Sequence, residues 1–205
     1  MFAFTIIDMN NPLDLITKTI QSTIEASPTE INLFFDHFKL QKLKADEYFI
    51  REGEVCNKIG FITKGMIRYF YVDDQEETTR WVSLEGEFAT SLGSFITGQP
   101  CSHHLQAIGS CDVWVICKSN WQKLSKHHEW LRNFWTRVLE ITCVGFEDRV
   151  YQQLASSAEQ RYEYMMKRYP HFIEKVPQKY VASMMGIKPE SLSRVRAQMA
   201  RKRRT

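Results

Sequence analysis

Residues 177–200 read PQKYVASMMGIKPESLSRVRAQMA, and the predicted fold of the chain is built outward from them. Ala182, Gly186 and Leu192 have the spacing of two short helices joined by a tight turn. A small residue stands where the helices would cross, and a glycine stands at the turn, where few other residues fit. Pro189 fits the first turn of the second helix. We therefore predict a helix-turn-helix whose second helix starts at Pro189.

The polar side chains of the second helix are of the types that read DNA bases. Arginine can hold guanine through two hydrogen bonds, glutamate can accept one from cytosine, and the N-terminal half of such a helix enters the major groove. An ordinary amphipathic helix pair on a protein surface is the alternative. The candidate DNA-binding residues are Lys179, Lys188, Glu190, Ser191, Ser193, Arg194 and Arg196.

Charge is divided unevenly along the chain. The 205 residues have a net charge of +3, whereas residues 188–205 contain seven basic side chains and one acidic, a net +6 that leaves −3 for the remainder. This asymmetry favours nucleic acid or a membrane surface as the partner of the basic end, although a solvated tail has the same composition. Residues 201–204 would add phosphate contacts or form a disordered tail.

A long helix is predicted from Trp130 to about Leu154, because apolar residues recur there at helical spacing. Some 25 residues would extend nearly 40 Å. Its expected partner is a second copy of the chain, and packing against its own β unit is the alternative. The apolar stripe comprises Leu131, Phe134 or Trp135, Val138, Ile141 or Thr142, Gly145, Val150 and Leu154.

The middle of the chain, from about Leu43 to Lys118, has the pattern of an all-β unit. Its short segments are aromatic and β-branched, and it holds seven of the nine glycines, which predicts many tight turns. Helices are predicted before it, after Asn11-Pro12 and after Ser27, and beyond it at Ala158–Arg168. The predicted strands are Tyr48–Arg51, Lys58–Thr63, Met66–Val72, Thr78–Leu84, His104–Ala107 and Val113–Cys117.

Composition and motifs exclude several classes of protein. The hydrophobic fraction of 43% and charged fraction of 25% are those of a globular chain. With no signal peptide and no apolar run of about 18 residues, we expect a cytoplasmic protein without a membrane partner and with free cysteine thiols. No catalytic constellation occurs, so neither an enzyme nor a cofactor is expected. A metal role for His103-His104 is disfavoured, because adjacent strand residues face opposite sides.

A β-roll, a long helix and a helix-turn-helix follow one another in the Crp/Fnr family of transcription regulators, and the chain resembles that family over nearly its whole length. GIKPESLSRVRAQM, residues 186–199, is similar to the family's recognition region, with Glu190 and Arg194 matching its base-reading residues. The resemblance implies an α+β fold. It comprises a jelly-roll-like double-stranded β-helix of the cyclic-nucleotide-binding type in residues 1–127, a dimerisation helix in 128–157 and a helix-turn-helix DNA-binding domain in 158–205.

Residues 86–107 resemble the phosphate-binding cassette of cyclic-nucleotide domains. In that alignment Ser91 stands where the family has the glutamate that holds the ribose, and Cys101 stands where it has the arginine that neutralises the phosphate. We therefore expect cAMP and cGMP to bind weakly or not at all. The cassette positions of the effector pocket are Gly86, Glu87, Phe88, Ser91, Cys101 and Ser102.

The resemblance implies a homodimeric regulator that binds a palindromic operator in double-stranded DNA, and the charges missing from the cassette predict that cAMP does not control it. RNA polymerase is a further candidate partner, and the small-molecule effector is unknown. Two alternatives stay open. One is a regulator that responds to a cyclic nucleotide or another small molecule, and the other is a β-roll that binds proteins beside a constitutive DNA-binding end.

Overall fold

The computed structural model describes residues 11–202, which form two compact units. The first unit comprises the described residues up to Arg68 together with Ser83–Glu140. The second comprises Tyr69–Val82 together with the described residues from Ile141 onward. Each unit is therefore built from two separate segments of the chain.

Two short helices open the first unit, α1 (Pro12–Gln21) and α2 (Pro28–Phe35). The predicted capping box at α2 is confirmed: the Ser27 hydroxyl accepts from the Glu30 backbone N–H at 3.2 Å, and the Glu30 carboxylate accepts from the Ser27 N–H at 3.1 Å. The inward faces of these helices are buried through Ile16, Ile20, Ile31 and Phe34.

The sheet is antiparallel and jelly-roll-like. The strands are β1 (Lys39–Leu43), β2 (Tyr48–Ile50), β3 (Lys58–Asp73), β4 (Glu76–Ser83), β5 (Phe88–Ala89) and β6 (His104–Cys117). In the sheet, β1 and β3 lie on either side of β6, and β4 pairs with β3. The short strand β2 pairs with β6, and the short strand β5 pairs with β3. Between β5 and β6 lies the short helix α3 (Leu92–Thr97).

The sequence prediction divided two strands that are continuous. The segments Lys58–Thr63 and Met66–Val72 are one strand, β3, and the last two predicted segments are likewise one strand, β6. Gly65 has φ +86°, yet β3 runs through it, because a glycine at positive φ can bend a strand without ending it.

Gly60 lies inside β3, as the predicted strand Lys58–Thr63 places it, and its neighbours pack closely around it. A Cβ there would approach Val113 Cγ1 to 2.5 Å and the Phe49 ring to 2.9 Å. Close packing therefore requires a glycine at this position. The sequence prediction missed the strand β1, which pairs with β6.

Six helices follow β6 in the described residues: α4 (Lys118–His127), α5 (Glu129–Ala155), α6 (Ala158–Arg168), α7 (Pro170–Lys175), α8 (Gln178–Met184) and α9 (Pro189–Lys202). The predicted long helix is confirmed as α5, and α6 begins at a capping box between Ser157 and Gln160. The prediction missed α7, because Tyr169-Pro170 was taken only as a helix end, whereas Pro170 also starts a new helix.

The fold class agrees with the prediction: an α+β chain with a jelly-roll-like sheet, a long helix and a pair of short helices near the C-terminus. Within residues 11–202, no helix combines the length and apolar character that crossing a membrane requires. All five cysteines are free thiols, as expected.

Candidate DNA-binding helix and degenerate nucleotide cassette

The turn between α8 and α9 has the geometry predicted for a helix-turn-helix. Gly186 has φ +66°, a conformation that costs most other residues about 1–2 kcal/mol. The Gly186 N–H donates to Ser183 O at 2.9 Å, and the Ile187 N–H donates to Ala182 O at 3.1 Å. Ala182 and Leu192 are fully buried, so they fix how the two helices pack against each other.

The outward face of α9 presents a mixed set of charged and polar groups. Glu190 and Arg194 lie four residues apart and therefore share one face of the helix, and both are exposed. The Arg194 guanidinium donates to the Ser191 hydroxyl at 3.1 Å, which holds that arginine along the first turns of the helix. Leu192 is buried on the opposite side.

The remaining candidate DNA-binding residues surround this face. Ser193 and Arg196 are exposed on the flank of α9, Lys188 is exposed just before it, and Lys179 is exposed on α8. The Lys188 carbonyl accepts from the Leu192 N–H at 3.1 Å, so its backbone contributes to the start of the helix although its side chain cannot cap it.

The C-terminal end of α9 is anchored within the second unit. Lys202 Nζ lies 2.6 Å from Glu159 Oε1 on α6. Arg201 and Lys202 stand in the last turn, where positive charge is favoured by the helix dipole. Arg203 and Arg204, the other half of the predicted phosphate-binding run, lie outside the described residues.

The cassette lies wholly in the first unit and has hydrogen bonds of its own. Ser91 is buried and precedes α3, with the Phe95 N–H donating to its carbonyl at 2.8 Å. The Ser94 hydroxyl donates to Gln99 O at 2.5 Å and accepts from the Cys56 N–H at 2.9 Å. The loop that would receive a phosphate is therefore held in shape by neutral groups.

Cys101, which the resemblance aligns with the family's phosphate-binding arginine, is buried. Its thiol donates to Arg51 O at 2.9 Å, and burial raises the pKa of the thiol. A neutral, already hydrogen-bonded thiol supplies neither the charge nor the paired donors that a guanidinium gives a phosphate. The adjacent Ser102 is exposed.

Glu87 is the acidic group among the cassette positions. Burial raises its pKa, and its carboxylate accepts from the Leu84 N–H at 3.3 Å. Gly86, beside it, accepts from the Thr19 hydroxyl at 3.0 Å through its carbonyl, which ties the cassette to α1. This half-buried carboxylate therefore holds the turn before the cassette.

Residues 40–128 match the family model of the cyclic nucleotide-binding domain. FixK2 from Bradyrhizobium japonicum is similar in structure, with a TM-score of 0.66 and 15% identity over 80% of this chain and 85% of its own. A doubly substituted CooA from Carboxydothermus hydrogenoformans has a TM-score of 0.67 and 14% identity, over 89% of this chain and 83% of its own. No curated protein gave a match.

A third solved structure comes from Eubacterium rectale and is named as a transcriptional regulator of the Crp/Fnr family. Its TM-score is 0.62, with 14% identity over 86% of this chain and 85% of its own. This chain has the Crp/Fnr fold.

The Crp/Fnr fold also brings together residues that sequence reasoning did not connect. Arg80 from β4 and Arg149 from α5 both lie against the ring of Phe146, with guanidinium carbons 5.2 and 4.5 Å from its centre. Trp81 stacks on Phe172 of α7 at 5.0 Å. No spacing in the sequence relates β4 to these helices, so only the folded chain could reveal the cluster.

Proposed function

We propose that this protein is a sequence-specific DNA-binding transcription regulator of the Crp/Fnr type, that it acts as a homodimer in the cytoplasm, and that cAMP does not control it. The observation that carries the proposal is the exposed face of α9, on which Glu190 and Arg194 lie four residues apart behind a helix-turn-helix turn. A guanidinium and a carboxylate at this spacing suit adjacent base edges in the major groove.

The proposed division of labour follows the three parts of the chain. Residues 1–127 are the effector domain, residues 128–157 the dimerisation helix and residues 158–205 the DNA-binding domain. Lys179, Lys188 and Arg196 would contact phosphates or neighbouring bases around the recognition face, and Ser191 and Ser193 would supply hydroxyl groups. The protein needs no catalytic role in this scheme, and RNA polymerase is a further candidate partner.

Dimerisation is supported by an exposed apolar seam on α5. The seam keeps Ile141 of the stripe predicted from the sequence, but it adds Val144 and Tyr151, and Val150 lies off it. Ile141, Val144 and Tyr151 are 51%, 58% and 62% exposed, and with Asp148 and Ala155 they follow the alternating three- and four-residue spacing of a coiled coil. Leu154, at the edge of the seam, is 83% exposed. A second copy of the same helix would cover these side chains and set two recognition helices one DNA turn apart, about 34 Å.

Independence from cAMP is supported by the cassette. By the resemblance, Cys101 stands at the phosphate position and Ser91 at the position of the ribose carboxylate. Both are buried, and the Cys101 thiol already donates to Arg51 O, so neither supplies the charge that a cyclic nucleotide needs. Titration calorimetry with cAMP should therefore detect no binding at micromolar concentrations. A micromolar dissociation constant would contradict this part of the proposal and favour a cyclic-nucleotide receptor.

The DNA-binding part is tested by selecting bound duplexes from a random pool with the full chain. We expect a palindromic sequence to be enriched, because two identical helices would read two identical half-sites. Enrichment of no sequence would contradict sequence-specific binding, and a single unrepeated site would contradict the dimer.

Arg194→Ala then identifies the reading residue. The substitution should weaken binding to the selected operator by about 1–3 kcal/mol and relax one base position in each half-site. Arg168→Ala is the matched control, because Arg168 is an exposed arginine at the end of α6 in the same unit and should leave both affinity and base preference unchanged. Equal weakening on all sequences would reduce Arg194 to a phosphate contact.

A further inference from the structure

A cavity of about 680 Å³ lies within the second unit. Its walls come from the β3–β4 hairpin, α5, α6 and the turn that precedes α9, and none of the cassette residues lines it. Most of the lining is apolar and much of it aromatic, including Trp81, Phe146, Tyr164 and Tyr169. This volume is typical of a site for a small organic molecule.

Two arginines share one end of this cavity. The guanidinium carbon of Arg149 lies 4.9 Å from the centre of the Trp81 ring and 4.5 Å from that of Phe146. The guanidinium carbon of Arg80 lies 5.2 Å from the centre of the Phe146 ring. A guanidinium that stacks on a ring by its face keeps the N–H groups of its edge available for an acidic group. Both side chains are half-buried.

Neither arginine has an acidic partner among residues 11–202. Arg149 donates to the carbonyl of Gly145 on its own helix at 3.3 Å, and the Nε of Arg80 is buried without an acceptor. The nearest carboxylate along the helix, Asp148, already accepts from the Tyr164 hydroxyl at 3.1 Å. Burial and the charge of Arg80 lower the pKa of Arg149, since two half-buried cations disfavour each other.

We propose that this cavity binds a small aromatic anion, with its ring among the aromatic side chains and its acidic group on Arg80 and Arg149. An anion would supply the missing counter-charge and the missing hydrogen-bond acceptor at once. An aromatic ring suits the lining better than a polar body does, because the walls bury mainly carbon.

The cavity also touches the segment that leads into α9. The backbone N–H of Thr79 donates to the Ser183 hydroxyl at 2.8 Å, and the Gln153 side-chain amide donates to Met184 O at 2.8 Å. A ligand in the cavity would therefore contact the same residues that hold the turn of the helix-turn-helix. We infer that the ligand is an effector that alters DNA binding, and this second step rests on the proposed function.

The binding step is tested with two fluorescent probes that differ in charge, added separately to the full chain. Anilinonaphthalene sulfonate is an aromatic anion, and phenylnaphthylamine has the same ring system without the acid. We expect saturable binding of one sulfonate probe per chain, with an affinity at least about tenfold above that of the neutral probe, because only the anion can pair with the two arginines.

Substitution of either arginine should remove this preference. Arg149→Gln and Arg80→Gln should each weaken the sulfonate probe by about tenfold or more while leaving the neutral probe unchanged. Arg137→Gln is the matched control, because Arg137 is an exposed arginine on the same helix that pairs with Glu140 at 3.0 Å and does not line the cavity. Circular dichroism of each variant checks that it is folded, and Arg80→Gln carries the test if Arg149→Gln does not fold.

Three outcomes would overturn the proposal: no saturable binding, equal affinity for the two probes, or unchanged sulfonate binding in both arginine variants. Probe binding does not depend on DNA, so this test stands even if no operator is selected. If an operator is found, saturating sulfonate probe should change its affinity in the native chain and leave it unchanged in Arg149→Gln. An unchanged operator affinity in the native chain would overturn the effector role alone.

Discussion

Val144→Asp on α5 is expected to separate the proposed dimer into monomers. Val144 is 58% exposed and lies in the middle of the apolar seam, between Ile141 and Tyr151. In a two-fold interface the same residue of both copies changes at once, so the effect is counted twice. The substitution removes an apolar contact and also introduces two like charges near the symmetry axis.

The magnitude follows from the exposed fraction. Full burial of a valine side chain is worth roughly 1.5–3 kcal/mol, so covering the exposed part of Val144 contributes about 1 kcal/mol in each protomer. Two carboxylates roughly 6 Å apart at an effective dielectric constant of about 20 repel each other by about 3 kcal/mol. The total of about 5 kcal/mol should raise the dimer dissociation constant by three to four orders of magnitude.

Sedimentation velocity over a range of protein concentrations measures this constant. Val150→Asp is the matched control. Val150 is 57% exposed on the same helix, but it comes six residues after Val144 and therefore lies about 120° away around the helix axis. We expect Val150→Asp to dimerise like the native chain. A native chain that is monomeric at all concentrations, or a Val144→Asp variant that still dimerises, would refute the reasoning.

Three further predictions concern single side chains. Gly60→Ala should lower the free energy of unfolding by about 1–3 kcal/mol in denaturant titrations, since the added Cβ would meet a valine methyl at 2.5 Å. Gly93→Ala should not lower it, because a Cβ at Gly93 would have no atom within 4 Å. Equal effects of the two substitutions would contradict the packing argument. Iodoacetamide at neutral pH should alkylate Cys117 well before Cys111, which mass spectrometry of peptides can show. A hydrogen bond with a serine lowers the pKa of the exposed Cys117, whereas burial raises the pKa of Cys111 to about 12. Similar alkylation rates at the two cysteines would contradict this prediction. Glu87→Gln should raise the melting temperature at pH 7, because burial raises the pKa of the Glu87 carboxyl and its ionisation therefore disfavours the folded state. This gain in melting temperature should vanish below pH 4.5, the ordinary pKa of the group. A gain that does not depend on pH would exclude ionisation as the cause.

Helix starts and the turn of the helix-turn-helix were predictable from the sequence because the groups that define them are close neighbours along the chain. Ser27 and Glu30 satisfy each other's backbone groups, and Pro189 begins α9 where the sequence placed it. Gly186 has the positive φ that its position between two helices required. Which of the α9 side chains read bases stays a prediction.

The continuity of the strands and the presence of the cavity could not be predicted from the sequence. The Gly65 bend was interpreted as a break because a turn and a bulge use the same residue, and only the pairing partner on β6 distinguishes them. Arg80 and Arg149 lie far apart in sequence, and each has an ordinary amphipathic context of its own. Their proximity depends on how the hairpin packs within the second unit, which no local pattern encodes.

The discontinuous second unit has a consequence for how such chains can be rearranged. Its hairpin, Tyr69–Val82, is encoded in the middle of the segment that builds the first unit, yet Trp81 stacks on Phe172 at 5.0 Å and 28° beside the helix-turn-helix. A gene fusion that joins a foreign effector domain to this chain at α5 would replace the hairpin. Phe172 would then lose the Trp81 ring on which it stacks. The two halves therefore cannot be shuffled at a single breakpoint, and a working chimera must inherit the hairpin together with the helices it covers.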